Sequence, residues 1–151
     1  MRLSTKSRYG LRALFDIAYN CGGAPVQIQD ISRRQQISPR YLEQIFQNLK
    51  RAGIITSKRG PQGGYALARK ADEITVLEVL NATEQDVLLV ECAGVTTRKR
   101  RRKNECPFES KCVTQSVWQE ANNLLNTLFG GMTLQTLCQR GHDMGIIREP
   151  P

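Results

Sequence analysis

The sequence contains very little of what a catalytic site is usually built from. Its 151 residues include one histidine, His142. They contain no glycine-rich phosphate-binding motif and no set of serine, histidine and aspartate suited to nucleophilic catalysis. The composition therefore argues against an enzyme.

Long apolar runs are also missing. No run approaches the ~18 residues of a membrane span. The N-terminal region carries charged residues where a secretory signal would have an uninterrupted apolar core. We therefore expect a cytoplasmic protein, in which the five cysteines are better explained as metal ligands, redox groups or core residues than as stable disulfides.

Positive charge is concentrated in the first half of the chain. Residues 1–70 contain thirteen Lys/Arg and three Asp/Glu, whereas residues 71–151 contain nine and eleven. Basic charge gathered in one half is typical of a surface that binds nucleic acid phosphates. Double-stranded DNA is the predicted partner.

Residues 27–67 have the order of elements of a winged helix-turn-helix. A short polar helix around Asp30 is followed by a turn at Ile37. Ser38 suits the N-cap of the next helix, and Pro39 suits its first position. The apolar residues that follow have the spacing of one buried stripe: Tyr41, Leu42, Ile45, Phe46 and Leu49.

The opposite face of this second helix carries side chains that can reach base edges and phosphates from the major groove. They are Arg40, Glu43, Gln44, Gln47 and Lys50, and Ser38 and Tyr41 at the helix start complete the predicted DNA-contacting set. Taken alone, such a face is as typical of a solvated surface helix.

A small hairpin is predicted after Gly53, which should end the helix. Residues 54–56 and 65–67 form its strands, and the basic, glycine-rich turn between them presents Lys58 and Arg59 to DNA. Helix, capped helix and basic wing in one segment favour DNA binding over coincidence.

Cys92, Cys106 and Cys112 lie in a polar stretch with no periodicity that would order it. Lysine and arginine neighbours should favour the thiolate form that ligates metals. Zinc usually takes four ligands, often in CxxC pairs that are missing here, and iron–sulfur clusters also use cysteine. The triplet predicts a metal or redox site without choosing the ion, and three unrelated loop cysteines remain an alternative.

The basic run at residues 98–103, RKRRRK, lies inside this stretch. Such runs are usually disordered and solvated. A phosphate contact is the functional alternative.

A long helix is predicted from Thr114 to Gly130, with apolar residues from Val117 to Phe129. Because helix-turn-helix proteins commonly dimerise, we interpret it as a homodimer helix, with an intramolecular core role as the alternative. Thr133 should cap a final short helix, and a loose tail should begin at Gly141.

The predicted fold is mainly α with a small β-hairpin wing. We divide the chain into a DNA-binding domain (1–83), a cysteine-containing loop (84–113), a dimerisation helix with a short C-terminal helix (114–140), and a flexible tail (141–151).

The chain resembles the Rrf2 family of bacterial winged-helix regulators. The resemblance rests on the stretches MRLSTKSRYGLRALFDIA, SPRYLEQIFQNLKRAGII and SKRGPQGGYALA, and on the cysteines followed by CVTQSVW. It implies a dimer crossed by the long helix, with operator binding by the second helix and the wing. The specificity positions would be Arg40, Glu43, Gln44 and Arg59.

The same resemblance implies a [2Fe–2S] cluster on Cys92, Cys106 and Cys112. Gln115 stands where the cluster-binding relatives have a histidine ligand, so Gln115 or His142 is the candidate fourth ligand. The alternative is a cluster-free or zinc-stapled regulator that responds to a thiol signal, a small effector or a partner protein.

Overall fold

The computed structural model describes residues 3–22, 24–61, 63–84, 87–90, 108 and 111–149. In chain order these residues form α1 (Thr5–Cys21), α2 (Ile28–Gln35), α3 (Pro39–Arg51), β1 (Ile55–Lys58), β2 (Gly64–Leu67), α4 (Val76–Thr83), α5 (Val113–Gly130) and α6 (Leu134–Asp143). The strands form one antiparallel hairpin. The predicted class, mainly helical with a small β-hairpin wing, is confirmed.

The helix starts follow the capping chemistry of the sequence. The Ser38 side chain accepts a hydrogen bond from the Tyr41 N–H, with Pro39 in the first turn of α3. Thr75 and Glu78 form a reciprocal capping box at α4. Each such cap stabilises its helix by about 1 kcal/mol.

The main core is built around α1, which packs against α2, α3, α4 and α6. Its Ala13, Leu14 and Ile17 are completely buried. The predicted apolar stripe of α3 meets them, with Leu42, Ile45, Phe46 and Leu49 all buried.

A buried ion pair joins α2 to α1. The Arg34 guanidinium lies 2.7 Å from the Asp16 carboxylate, and both side chains are almost fully buried. The Gln35 side-chain amide donates to the same carboxylate at 2.9 Å. Removing one partner of such a pair costs about 3–5 kcal/mol because a charge is left buried alone. The pair therefore fixes the orientation of α2.

Several boundaries differ from the sequence prediction, most clearly those of β1 and α6. The first strand begins at Ile55 and extends to Lys58, because Ile54 donates to Leu49 O to complete the end of α3 and Lys58 pairs with Gly64. α6 continues through Gly141 to Asp143, and a Cβ at Gly141 would lie 2.9 Å from the Phe15 ring. The missing side chain lets α6 approach α1 where the tail was expected to begin.

Residues after α6 return to α1. The Tyr19 hydroxyl donates to Ile146 O at 2.7 Å, and the Glu149 N–H donates to Asn20 Oδ1 at 2.9 Å. In the part of the chain that the structure describes, no helix has both the length and the apolar character needed to cross a membrane.

Candidate DNA interface

The outward face of α3 has the composition predicted for DNA contact. Arg40, Glu43, Gln44 and Gln47 are exposed, on the side of the helix opposite its buried stripe. Their spacing of three or four residues places them on one face. Ser38, also exposed, serves the helix as its N-cap.

Tyr41 and Lys50 have contacts within the protein. The Tyr41 ring is half-buried and packs edge-on against Tyr9 of α1, with 5.9 Å between ring centroids. The Lys50 ammonium donates to the Ser57 hydroxyl of β1 at 2.5 Å. Tyr41 therefore packs α3 against α1, and the exposed Lys50 links α3 to the wing through one hydrogen bond.

The wing places Lys58 and Arg59 in solvent. Lys58 is the last residue of β1, opposite Gly64, and Arg59 begins the turn. Gly60 in this turn has φ +116°, which favours glycine because it has no Cβ. The turn thus projects two adjacent cations from the end of the hairpin.

Tyr65 of β2 attaches the hairpin to the helical part of the protein through its backbone and its ring. Val26, before α2, exchanges backbone hydrogen bonds with Tyr65 at 2.8 and 2.9 Å, and the Tyr65 ring packs against Phe46 of α3 at 4.7 Å. A Cβ at Gly64 would lie 2.2 Å from Val26 O. Glycine is therefore required at position 64 for this close approach. The sequence predicted a role for Gly64 only in the turn.

The interface cations have no carboxylate partner among the residues described. The ion pairs there involve Asp30 with Arg33, Asp16 with Arg34, and Glu78 with Arg69, together with the pair between neighbouring His142 and Asp143. Arg40, Lys58 and Arg59 thus keep their charge available for phosphates.

Sequence reasoning missed the side chains that support this surface. The Gln27 amide donates to Pro61 O at 3.4 Å, linking the start of α2 to the wing. The Asp16 and Arg34 pair joins residues eighteen positions apart, so no local pattern could have shown it.

Of the three predicted cluster ligands, the structure describes Cys112. Cys92, Cys106 and the basic run at residues 98–103 lie outside the described residues. Cys112 is the N-cap residue of α5 and is half-buried. The Thr114 hydroxyl, 3.2 Å from the sulfur, lowers the pKa of the Cys112 thiol below its usual value. Thiolates are the form that binds metals, so Cys112 fits the proposed donor set.

The other two described cysteines differ from Cys112. Cys21 and Cys138 are buried, and burial raises the pKa of both thiols. Such thiols resist ionisation and are poor ligands. No group of three His, Cys, Asp or Glu residues in the described chain is arranged to hold a metal ion, and the zinc alternative gains no support there.

The two candidate fourth ligands occupy different helices. Gln115 is half-buried in the first turn of α5, three residues after Cys112. His142 is exposed in the last turn of α6, on a helix that packs against α1. Positions three apart on a helix are neighbours, so Gln115 shares the local environment of Cys112.

Comparison with known proteins gives a consistent result. Residues 3–140 match the model of the Rrf2 family, described as iron-dependent transcriptional regulator. The chain is 39% identical over 137 residues to the HTH-type transcriptional regulator IscR of Escherichia coli O1:K1 / APEC, covering 91% of this chain and 80% of that protein.

Solved structures of regulators have the same fold. T. potens IscR matches with a TM-score of 0.75 and 30% identity, covering 99% of this chain and 94% of that one. CymR, the global cysteine regulator of B. subtilis, matches with a TM-score of 0.71 and 27% identity, covering 93% and 98%. These relatives are regulators and not enzymes, as the composition predicted. By its sequence and its fold, this chain belongs to the Rrf2 family of DNA-binding transcriptional regulators.

Proposed function

We propose that this regulator is a cytoplasmic homodimer that binds a palindromic operator and reports iron–sulfur or redox status through a [2Fe–2S] cluster on Cys92, Cys106 and Cys112. The observation that carries the proposal is α5, which has Cys112 as its N-cap residue and leaves an apolar face uncovered.

The exposed face of α5 supports the dimer. Val113 is 88% exposed, Leu124 73% and Val117 57%, and Trp118 and Leu128 are also exposed. Contiguous apolar patches of this kind usually mark interaction surfaces. Packing α5 against α5 of a second copy covers these apolar side chains and brings two DNA-binding surfaces to one operator. Phe129, at the other side of α5, packs against the cluster around Leu80 of α4, so the intramolecular role accounts for part of the helix.

The residues of the DNA interface have different proposed roles. Arg40 and Gln44 hydrogen-bond base edges in the major groove. Glu43 accepts a hydrogen bond from cytosine N4 and repels phosphate, which excludes other sequences. Lys58 and Arg59 bind phosphate or the neighbouring groove. Ser38, Tyr41 and Lys50 contact the DNA beside the base-reading residues and also support α3 within the protein.

The cluster proposal rests on the donor set and on the relatives. The Thr114 hydroxyl lowers the pKa of the Cys112 thiol, which favours the form that binds iron, and Gln115 is one helical turn away as the candidate fourth ligand. When bound, the cluster supplies the group whose presence or oxidation state distinguishes the forms of the regulator. The residues of this chain then determine which form binds which operator.

Purification without oxygen followed by iron and sulfide analysis and a visible absorption spectrum tests the cluster. We expect two irons and two sulfides per chain, lost in Cys106→Ala. Cys138→Ala is the matched control, because that thiol is buried in α6 with a raised pKa, and it should retain both elements.

A colourless wild-type protein that still binds its operator would contradict the cluster. It would favour a cluster-free regulator that responds to a thiol signal, a small effector or a partner protein. The similarity to the structure named as a global cysteine regulator supports this second candidate. Reversible oxidation that changes operator affinity in such a protein, and is lost in Cys112→Ser, would identify the thiol signal.

A further inference from the structure

A groove lies between α1 and α6. Its volume is about 320 Å³, and small-molecule sites in proteins usually have volumes of about 300–1,000 Å³. Leu11 and Phe15 form its wall on α1, and Leu137 contributes to its wall on α6. Gly141 lets the two helices approach, because a Cβ there would lie 2.9 Å from the Phe15 ring. The walls of the groove are therefore apolar.

The segment that follows α6 forms a third wall. Met144 and Ile146 line the groove there, and both are exposed to solvent. The Tyr19 hydroxyl donates to Ile146 O at 2.7 Å, and the Ile146 N–H donates to Gly141 O at 3.0 Å. These hydrogen bonds hold the segment against both helices, so the groove is formed before any ligand binds.

Three arginines line the same groove, Arg8 and Arg12 on α1 and Arg140 on α6. All three are exposed, and such side chains lay their aliphatic stems on apolar surface while the guanidinium stays in water. The ion pairs within the described residues involve none of them, and no acidic residue is among the described residues that line the groove. A guanidinium can bind a carboxylate through two parallel hydrogen bonds. The groove therefore combines apolar walls with positive charge.

One of these arginines is held in place by the protein. The Arg12 Nε donates to Gln35 Oε1 at 3.3 Å, and its Nη2 donates to Gln35 O. The Arg12 guanidinium also lies 5.4 Å from the centre of the Tyr9 ring. Arg12 therefore supplies fixed positive charge, and Arg8 and Arg140 are the better candidates for direct contact with an anion.

We propose that this groove binds a small carboxylate with an alkyl or aryl body. The body lies between α1 and α6, and the carboxylate pairs with Arg8 and Arg140. An uncharged apolar molecule would leave the arginines unused, whereas a small inorganic anion would leave the apolar walls exposed. The groove includes none of the proposed cluster ligands, so a ligand bound there acts independently of a cluster.

Titration of the ¹⁵N-labelled full-length protein with octanoate tests the site through amide NMR shifts. We expect saturable shifts that include the amides of Phe15 and Gly141. Octanol and acetate each lack one half of the proposed ligand and should bind at least about tenfold more weakly. An octanoate titration that does not saturate, or that shifts other helices alone, would overturn the proposal. Equal binding of octanol or of acetate would overturn it as well.

The arginines are tested by the double variant Arg8→Gln with Arg140→Gln. We expect octanoate to bind at least about tenfold more weakly, because both guanidinium groups are lost while polar side chains remain. The matched control is Arg33→Gln with Arg51→Gln, which removes the same charge from two exposed arginines that do not line the groove. Substitutions at exposed positions cost little stability. Equal octanoate affinity in the two double variants would overturn the pairing with Arg8 and Arg140.

DNA is the other partner that arginines on this surface could bind. Addition of a duplex of arbitrary sequence to the labelled protein distinguishes the two. We expect the duplex to shift amides of α3 and the wing and to leave those of Phe15 and Gly141 unchanged. A duplex that shifts these two amides as octanoate does would assign the groove to DNA and overturn the small carboxylate.

Discussion

The DNA-binding head, formed by α1, α2, α3 and the wing, differs from α5 in the burial of its apolar side chains. In α1 to α3 the large apolar residues are buried or half-buried, and Leu14, Ile31 and Phe46 are among the fully buried ones. In α5 several are exposed, including Leu124 and Val117. The head therefore completes its core within one chain, whereas one apolar face of α5 remains exposed in a single chain. Folding of the head and assembly of the regulator can then be disturbed separately.

The largest expected effect comes from the core of the head. Phe46→Ala should lower the free energy of unfolding by about 3–5 kcal/mol, because a fully buried ring is replaced by a cavity. The loss should be the same at two protein concentrations. Leu124→Ala on α5 is the control, and its effect should depend on concentration, as stability linked to assembly does. Denaturant unfolding at micromolar and at tenfold higher protein concentration measures both variants. The same concentration dependence in both would contradict a separate core in the head.

Gly64→Ala should detach the wing. A Cβ there would meet Val26 O at 2.2 Å and the backbone has φ +149°, so we expect a loss of at least about 3 kcal/mol from strain and displacement. Operator affinity should fall as well. Gly22→Ala is the matched control, since its φ is +53° with nothing within 4 Å. It should cost about 1 kcal/mol and leave DNA binding intact, and equal effects of the two changes would refute the assigned contact.

Charge on the exposed face of α5 should separate the dimer. In the double variant Leu124→Asp with Leu128→Asp, we expect the dimer dissociation constant to rise at least about 100-fold, which corresponds to about 2.7 kcal/mol. The circular dichroism spectrum should show that the head remains folded. Sedimentation measures the association state. Asn123→Asp places a charge on an exposed polar position of the same helix and should remain dimeric. A double variant that stays dimeric would place the interface elsewhere.

The wing should contribute directly to DNA affinity. Arg59→Ala should weaken operator binding by about 1–3 kcal/mol if the side chain reaches a base edge or narrow groove, and less if it contacts phosphate alone. Arg69→Ala removes the same charge from a residue already paired with Glu78 at 2.6 Å and should change affinity less. Fluorescence anisotropy at fixed salt compares the two variants, and an unaltered affinity in Arg59→Ala would place the wing away from DNA.

The smallest effect on affinity, but the most specific, is expected at Glu43. Glu43→Ala should broaden the set of bound sequences because a group that excludes phosphate and wrong bases is removed. The ratio of the affinity for the operator to the affinity for a mismatched duplex should be about tenfold smaller than in wild type, which corresponds to about 1.4 kcal/mol. Glu120→Ala, an exposed acidic residue of α5, is the control. Unchanged discrimination between the operator and the mismatched duplex would show that Glu43 does not contribute to sequence recognition.

The sequence predicted those features that local chemistry determines. Ser38 and Thr133 begin helices because their side chains satisfy free N–H groups, and the spacing from Leu42 to Leu49 can be read along the chain. Contacts between distant residues could not be predicted. The approach of Gly141 to Phe15 and the burial of Asn122 beside Leu89 depend on how helices meet in space, and no periodicity records that.

Tyr41 shows the limit for the site itself. Its position at the start of α3 predicts DNA contact, and the structure adds that its ring packs against Tyr9. Side chains with two possible roles need their neighbours to be known. By contrast, Arg40 and Glu43 could be assigned to the outer face because helical periodicity alone decides it.

The most direct test of the account compares operator binding by cluster-loaded and chelator-stripped protein, with the operator selected from random duplexes by the loaded form. We expect two chains per duplex in the loaded form. After stripping, the affinity ratio between selected and unrelated duplexes should change at least tenfold. Equal affinity ratios, or one chain per duplex, would contradict a dimeric regulator controlled by its cluster.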